Sequence, residues 1–344
     1  MENSRVALLT RFFNDRNAGI GVYSRELLSK LLERGIQTDL YSCGFKGRVG
    51  YFLYSFAELG LKKLSFDSDV YHAFTPIEAL WTPKERTVTT FHDLIPMLEL
   101  GEIDTHYAGN MLTKFINEKY FTFATKRASE SKRIICNSEQ TKDRIMKHLG
   151  VDEEKVSVIR MGINPELEPK DEKPYKNCDY TVGTLSYLDP RKRMDILIRS
   201  FRELKVEDAE LLIPSTGPDE RHLREEAGGD DRIKFLGYLL EEKKAEYLSS
   251  LDVFVLPSKF EGYGLTWVEA MACKTPVVSL DDTLTPFDVR DRTHEVSKKR
   301  LSELLSERNF NCDVEANYEF SKKHDWDKCS RETIEVYKEV VDKN

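Results

Sequence analysis

The sequence predicts an α/β protein of two doubly wound domains, each a parallel sheet with helices on both faces. Short β-branched runs alternate with segments of helical period along almost the whole chain, the order that strands joined by crossover helices produce. The chain has 344 residues, more than one hydrophobic core usually organises, since cores stop growing at roughly 250 to 300 residues. The alternation is interrupted once by PELEPKDEKPYKNCD, residues 165 to 179, a polar segment with three prolines that reads as an interdomain linker. A first domain is therefore expected over 1–165 and a second over 166–325. A last helix, within 326–344, is expected to pack back on the first domain.

The first domain opens with the strand RVALLT and the helix SRELLSKLLERG, then the strands TDLYSC, DVYHAF and RTVTTFH. A long helical stretch near 105 to 130 precedes the strand RIICNS, and VSVIRM closes the domain. SEQTKDRIMKHLG, residues 138 to 150, shows both ends of a helix: Ser138 is placed to cap its first amides and Gly150 to end it. The second domain repeats the pattern with YTVGTL, the helix in MDILIRSFRELK, the strand AELLIPS and a helix near 219 to 227. The strand RIKFLG, the helix in EEKKAEYLSSL, the strand DVFVLPS, a helix from near Thr266 and the strand TPVVS follow. The final helix runs from about Trp326 to Val341.

A chain that is 40% hydrophobic and 33% charged has enough apolar area to offset chain entropy and is not a disordered one. No stretch of about 18 apolar residues is present, so no membrane-spanning helix is expected. The start, MENSRVALLTRFF, lacks the basic flank and long apolar segment of a signal peptide. Six scattered cysteines without CxxC spacing fit reduced thiols of a cytoplasmic protein. The net charge of −8 argues against a nucleic-acid partner. It is unevenly spread: residues 1–165 carry +2 and residues 166–344 carry −10. The first half is thus the better candidate for an anionic surface, and KGRVGYFLYSFAELGLKK, residues 46 to 63, mixes aromatics with lysines. Either a helix resting peripherally on the inner membrane face or a buried helix with a basic rim has that composition.

The densest chemistry lies in KFEGYGLTWVEAMACKTPVVS, residues 259 to 279. Two glutamates eight apart in one helix would stand roughly 12 Å from each other, so Glu261 must lie in a loop and Glu269 on the helix if they share a ligand. Gly262 and Gly264 let the backbone approach a bulky anion, and the free amides of a helix start favour negative charge. A phosphate flanked by polyhydroxylated groups suits such a site. Thr266 and Glu269 also have the spacing of a capping box, in which the glutamate would merely serve the backbone. Arg191 and Lys192, before a helix, offer charge-assisted bonds to a diphosphate, although basic pairs at helix starts are more often solvated. Gly19 and Gly21 follow the first strand but lack the third glycine of a dinucleotide fingerprint. His92 and Asp93 end a strand, where a histidine is more often structural. Asp67 and Asp69 have D-x-D spacing, but an acidic pair without further oxygen ligands is a poor metal site. No metal and no cofactor are expected.

Glu261, Gly262, Tyr263, Gly264, Leu265, Glu269, Ala270, Met271, Ala272, Pro276, Val277 and Val278 form a segment that resembles the E-x7-E region of the group 1 (family 4) retaining glycosyltransferases. The resemblance extends over nearly the whole chain and implies the GT-B fold, two Rossmann-like domains facing a central cleft. It implies that Glu269 holds the nucleotide ribose and Glu261 lies by the transferred sugar, with the amides at Tyr263, Gly264 and Leu265 meeting the sugar and diphosphate. It further implies that Lys192 and Arg191 meet the departing diphosphate, that Gly19 and Gly21 open a helix N-terminus toward it, and that His92 contacts the donor sugar. The backbone at Gly237 and Tyr238 would lie beside the base. The expected partners are a UDP- or GDP-linked sugar and a hydroxyl acceptor on a glycan, lipid or small molecule. Some relatives carry a further arginine where this chain has Ser186. Lys274 stands where relatives usually have glycine, and LDDTLTPFDVRD replaces a glycine-rich turn after PVVS. A non-catalytic sugar-nucleotide binder and a sugar-nucleotide epimerase are the rival readings.

Overall fold

The computed structural model describes residues 4–14, 19–43, 67–94 and 111–342, with the backbone alone at 111–118. The lipid-facing reading of residues 46 to 63 lies outside the described residues. The chain divides into two compact units, Met1–Gly162 with Asp325–Asn344, and Ile163–His324.

In the N-terminal unit the described elements are β1 (Arg5–Thr10), α1 (Gly19–Glu33), β2 (Gln37–Ser42), β3 (Val70–Ala73), β4 (Thr87–Phe91), α2 (Met111–Ala128), β5 (Arg133–Cys136), α3 (Glu139–Leu149) and β6 (Val156–Val158). The strands lie in the order β2-β1-β3-β4-β5-β6, and every pairing is parallel. Parallel strands covered on both faces carry continuous apolar runs rather than alternation. Accordingly Val6, Ala7, Leu8 and Leu9 of β1 are wholly buried. Ser138 caps α3 by accepting from the Thr141 amide at 3.1 Å, and Gly150 ends it at φ 64°. The C-terminal helix, Trp326–Val341, belongs to this unit and buries Trp326, Cys329, Val336, Tyr337 and Val340. Two polar contacts fix its register: Tyr337 Oη lies 2.6 Å from His72 Nδ1, and Arg34 donates to Asp327 at 2.9 Å. Gly162 is glycine because a Cβ there would fall 2.5 Å from the Trp326 ring.

The C-terminal unit holds β7 (Tyr180–Gly183), α4 (Met194–Arg202), β8 (Ala209–Ile213), α5 (Glu220–Ala227), β9 (Ile233–Phe235), α6 (Lys244–Ser249) and β10 (Val253–Leu256). It continues with α7 (Leu265–Ala272), β11 (Val277–Leu280), α8 (Phe287–Arg290), β12 (His294–Val296), α9 (Leu301–Glu307) and α10 (Val314–Ser321). Its sheet runs β12-β11-β10-β7-β8-β9, again all parallel. Both sheets are therefore Rossmann-like. Chain direction across the sheet reverses between β7 and β10 here, and between β1 and β3 in the other unit, and ligands of such sheets bind outside the carboxyl ends of the strands flanking the reversal.

One expectation changes. The proline-rich segment 165–179 is no free linker but lies along the C-terminal unit, with Leu167 buried. Its Lys170 and Tyr175 amides donate to the Ser249 and Ser250 hydroxyls at 2.9 and 3.3 Å, and Lys176 pairs with Asp252 at 2.5 Å. Polarity hid this because the contacts are made mainly by backbone amides and one charged side chain.

Candidate functional site

The loops after β7 and β10, the strands at the reversal, bring the sequence-predicted charges together. At the end of β7, Gly183 admits Tyr247, whose hydroxyl lies 2.6 Å from where a Cβ would stand. That hydroxyl donates to the Thr184 carbonyl at 2.8 Å, which secures the chain as it leaves the sheet. Asp189 then caps the short turn Pro190–Lys192. This turn delivers the Lys192 ammonium to the Glu261 carboxylate at 2.5 Å. Glu261 lies beyond β10, and the same carboxylate oxygen accepts from Ser258 at 2.5 Å. The two side chains are 9% and 12% exposed, so solvent screens the pair little. Burial pushes the Glu261 carboxyl up, but the charges of Lys192 and Arg191 outweigh it and hold the group below its ordinary value. Burial, with Arg191 adding a like charge, draws Lys192 down against the pull of Glu261. Arg191 itself is more open, its guanidinium 5.6 Å from the centre of the Phe260 ring.

Glu269 sits on α7, whose first residue is Leu265 and whose cap is Gly264 at φ 87°. The capping-box alternative fails for that reason: the helix starts before Thr266, and Glu269 lies in the second turn rather than the first. Its Oε1 instead accepts from Lys244 Nζ at 3.0 Å. Its Oε2 is buried and has no hydrogen-bond partner. Burial raises the Glu269 carboxyl, partly offset by Lys244. Gly264 is required twice over, by its positive φ and by Trp267, whose ring would stand 2.4 Å from a Cβ. Tyr263 turns its side chain into the unit, its hydroxyl 2.7 Å from His324 Nε2, so only its backbone is left for a ligand.

Two participants were not singled out from the sequence. Arg193 takes the left-handed conformation at φ 51°, a strained state for a residue with a Cβ. Its guanidinium donates to the Pro257 and Ser258 carbonyls at 2.8 Å each and grips Asp282 with two bonds of 2.9 Å. Arg193, with Lys298, draws the Asp282 carboxyl down to about 2. The departure LDDTLTPFDVRD thus has a structural role, since Asp282 meets Arg193, Thr283 donates to the Ser258 carbonyl at 2.7 Å, and Leu284 bridges Phe260. In sequence Arg193 was one more cation in a basic run. The second is Lys244, whose segment EEKKAEYLSSL reads only as a helix. Lys274, at the position where relatives have glycine, adopts φ 57° and spends its ammonium on Glu315 at 2.8 Å.

Gly237 has φ 75° with open space around its Cβ position, and Tyr238 is exposed. In the N-terminal unit, Gly19 and Gly21 lie in the first turn of α1 rather than in a loop, because the helix begins earlier than its apolar period suggests. A Cβ on Gly19 would meet nothing. His92 packs its ring edge-on against Tyr23 with centroids 5.0 Å apart. Its Nε2 is buried without a partner, and burial lowers its pKa to about 4 despite a bond to the Phe74 backbone. The imidazole is neutral at ordinary pH. At the β1/β3 reversal a further polar group stands out: Glu78, wholly buried, accepts from the Arg11 amide at 3.2 Å and from Thr75. Asp69 accepts from the Arg5 amide at 2.8 Å. Among the described residues no group of three or more His, Cys, Asp or Glu is placed to hold a metal ion.

Residues 179–298 match the sequence pattern described as Glycosyl transferases group 1, and residues 17–167 that of Glycosyltransferase Family 4. The chain belongs to the group 1 glycosyltransferases. A D-inositol 3-phosphate glycosyltransferase of Streptomyces bingchenggensis is 30% identical over 46% of this chain and 40% of its own. An uncharacterized glycosyltransferase of Methanocaldococcus jannaschii, MJ1178, is 26% identical over 65% of this chain and 63% of its own. The matches thus span less than two thirds of these relatives' lengths. Sucrose-phosphate synthase from Thermosynechococcus elongatus superimposes with a TM-score of 0.76 over 99% of this chain and 100% of its own, at 16% identity. HepE from Anabaena, solved with UDP and glucose, does so with a TM-score of 0.69 over 97% and 99%, at 14% identity. At such identities the likeness is one of fold, here the GT-B type with two Rossmann-like domains.

Proposed function

We propose that this glycosyltransferase moves a sugar from a nucleoside diphosphate to an acceptor hydroxyl with retention of anomeric configuration. The observation that carries the reading is the buried Lys192–Glu261 pair at the ends of β7 and β10, with Arg191 beside it and the buried, unpaired oxygen of Glu269 on the next helix. Lys192 has three N–H donors, one of them committed to Glu261, which leaves two for phosphate oxygens. As the anomeric carbon–oxygen bond breaks, negative charge grows on the diphosphate, and Lys192 and Arg191 stabilise it where it develops. The acceptor oxygen attacks from the face the diphosphate leaves, and its proton passes to a diphosphate oxygen. With two cations at the leaving group the step needs no divalent ion. Glu261 is ionised and lies by the sugar, Glu269 takes ribose hydroxyls, and the backbone at Gly262, Tyr263, Gly264 and Leu265 meets the diphosphate. Gly237 and Tyr238 take the base. In the N-terminal unit, Gly19 and Gly21 put no side chain on the first turn of α1, whose amides meet an anion, and the neutral His92 presents an acceptor nitrogen to a hydroxyl. HepE was solved with UDP, which makes UDP-sugars the first donors to try, ahead of GDP-sugars.

The test is transfer of labelled sugar from UDP- and GDP-sugars into glycan, lipid or small-molecule acceptors, in chelator, with the product anomer read by NMR. The reading expects transfer with the donor's configuration and its loss in Lys192→Ala. An inverted product, chelator-sensitive transfer, or transfer unchanged in Lys192→Ala contradicts it.

A further inference from the structure

The Glu269 carboxylate is buried in an unequal way. One oxygen bonds Lys244 Nζ at 3.0 Å, while the other is shielded from solvent with no partner. Lys244 comes from the first position of α6, its side chain is 16% exposed, and it bonds Glu241 Oε2 at 3.0 Å as well. An orphaned acceptor in a buried position costs free energy unless something completes it. We propose that Lys244 is a positioning residue for the nucleotide: by fixing Oε1 of Glu269 it keeps this carboxylate ionised and turns Oε2, with two lone pairs, toward the vicinal diol of a ribose. This rests on the reading of the protein as a nucleotide-sugar enzyme and adds to it a residue that acts through Glu269 rather than by touching the ligand.

The physical reason is the burial itself. A carboxylate removed from water without a cation protonates or swings away, and a protonated carboxyl loses acceptor capacity on the oxygen that carries the proton. Burial already raises the Glu269 carboxyl, Lys244 opposes that rise by its charge and its bond, and Glu241 adds to it. The Cys273 thiol also interacts with Glu269 and is pushed up to about 12 by burial, so it is uncharged, while α10, which packs on α7, carries Glu315 and Glu319, each paired with a lysine, Lys274 and Lys322. The flanking strands β10 and β11, VFVL and VVSL, bring none. Loss of Lys244 therefore moves the Glu269 carboxyl further up, and nucleotide binding weakens as pH falls through the new value.

The experiment is calorimetric titration of UDP and GDP, each with its 2′,3′-dideoxy form, against wild type, Lys244→Met, Lys244→Arg, Glu241→Gln and Glu269→Gln between pH 6 and 9, with melting curves as the control for folding. The proposal expects the wild type to prefer the ribose form by about tenfold or more, the worth of roughly one good charged hydrogen bond. In Lys244→Met that preference should collapse toward unity near neutral pH and recover as pH rises. Lys244→Arg should restore it, and Glu241→Gln should keep it to a lower pH. A folded Lys244→Met that retains both the preference and the pH midpoint of the wild type overturns the proposal. If Lys244→Met does not fold, an unmoved midpoint in Glu241→Gln overturns it. A wild type that binds neither nucleotide overturns the functional reading instead, which separates the two failures.

Discussion

Lys192→Met keeps the apolar stem of the side chain and removes the ammonium that meets Glu261 at 2.5 Å. With both partners about nine-tenths buried, the variant holds a carboxylate without its main cation. Removing one partner of a buried pair costs roughly 3–5 kcal/mol. The Ser258 bond and the Arg191 charge persist, which places the expected loss at about 3 kcal/mol at neutral pH. For a unit of this size each kcal/mol moves the melting point by about 2–4 °C, so the transition of the C-terminal unit should fall by about 6–12 °C. The loss must also depend on pH. In the wild type the Lys192 and Arg191 charges hold the Glu261 carboxyl below its unfolded-state value, so its stabilisation is present above the unfolded-state value and is lost as pH falls through the folded one. In the variant burial lifts the carboxyl above the unfolded-state value, and its contribution is then present at low pH and lost as pH rises through the raised value. The gap between the two proteins should be widest near pH 7 and narrow steadily as pH falls through the lowered wild-type carboxyl value. Scanning calorimetry across that range reads it, and adding Glu261→Gln to Lys192→Met should recover most of the loss. A deficit independent of pH, or a double variant whose losses simply add, refutes the reasoning.

Arg193→Gly should relieve the positive φ at 51°, worth roughly 1–2 kcal/mol, while releasing the loop that carries Ser258 and Glu261. Steady-state transfer should fall by about tenfold or more with a melting point little changed, and retained kcat/KM would show that the guanidinium clamp does not position the site. Gly264→Ala combines a left-handed backbone with a Cβ 2.4 Å from Trp267 and should destabilise the C-terminal unit by about 2–5 kcal/mol; an unmoved denaturant midpoint would contradict that packing. Tyr337→Phe strands a buried His72 nitrogen and should cost roughly 1–3 kcal/mol. Hydrogen exchange along Trp326–Val341 should rise, and unchanged protection would show that the contact does not hold the C-terminal helix.

The strands and helices were legible because each signal is local. DVFVLPS can bury four apolar residues in a row only inside a covered parallel sheet, and Ser138 and Gly150 mark helix ends through bonds to near neighbours. The C-terminal helix was visible in its own period, although the groups that hold it, His72 and Arg34, are hundreds of residues away in sequence. The site was legible in another way. Nothing in spacing ties Lys192 to Glu261 across 69 residues; the family resemblance selected both. Lys244 and Arg193 escaped because each is a cation among cations, and what distinguishes them is the buried carboxylate or backbone carbonyl they face. Glu269 was read as a first-turn residue because Thr266 has the chemistry of a cap, whereas the close approach of Trp267 makes Gly264 the start.

The most direct measurement is a crystal structure of the protein grown with a UDP-sugar. A phosphate oxygen should lie within about 3.5 Å of Lys192 Nζ and a ribose hydroxyl on Oε2 of Glu269. A nucleotide bound away from the ends of β7 and β10, or with its ribose on other residues, contradicts it.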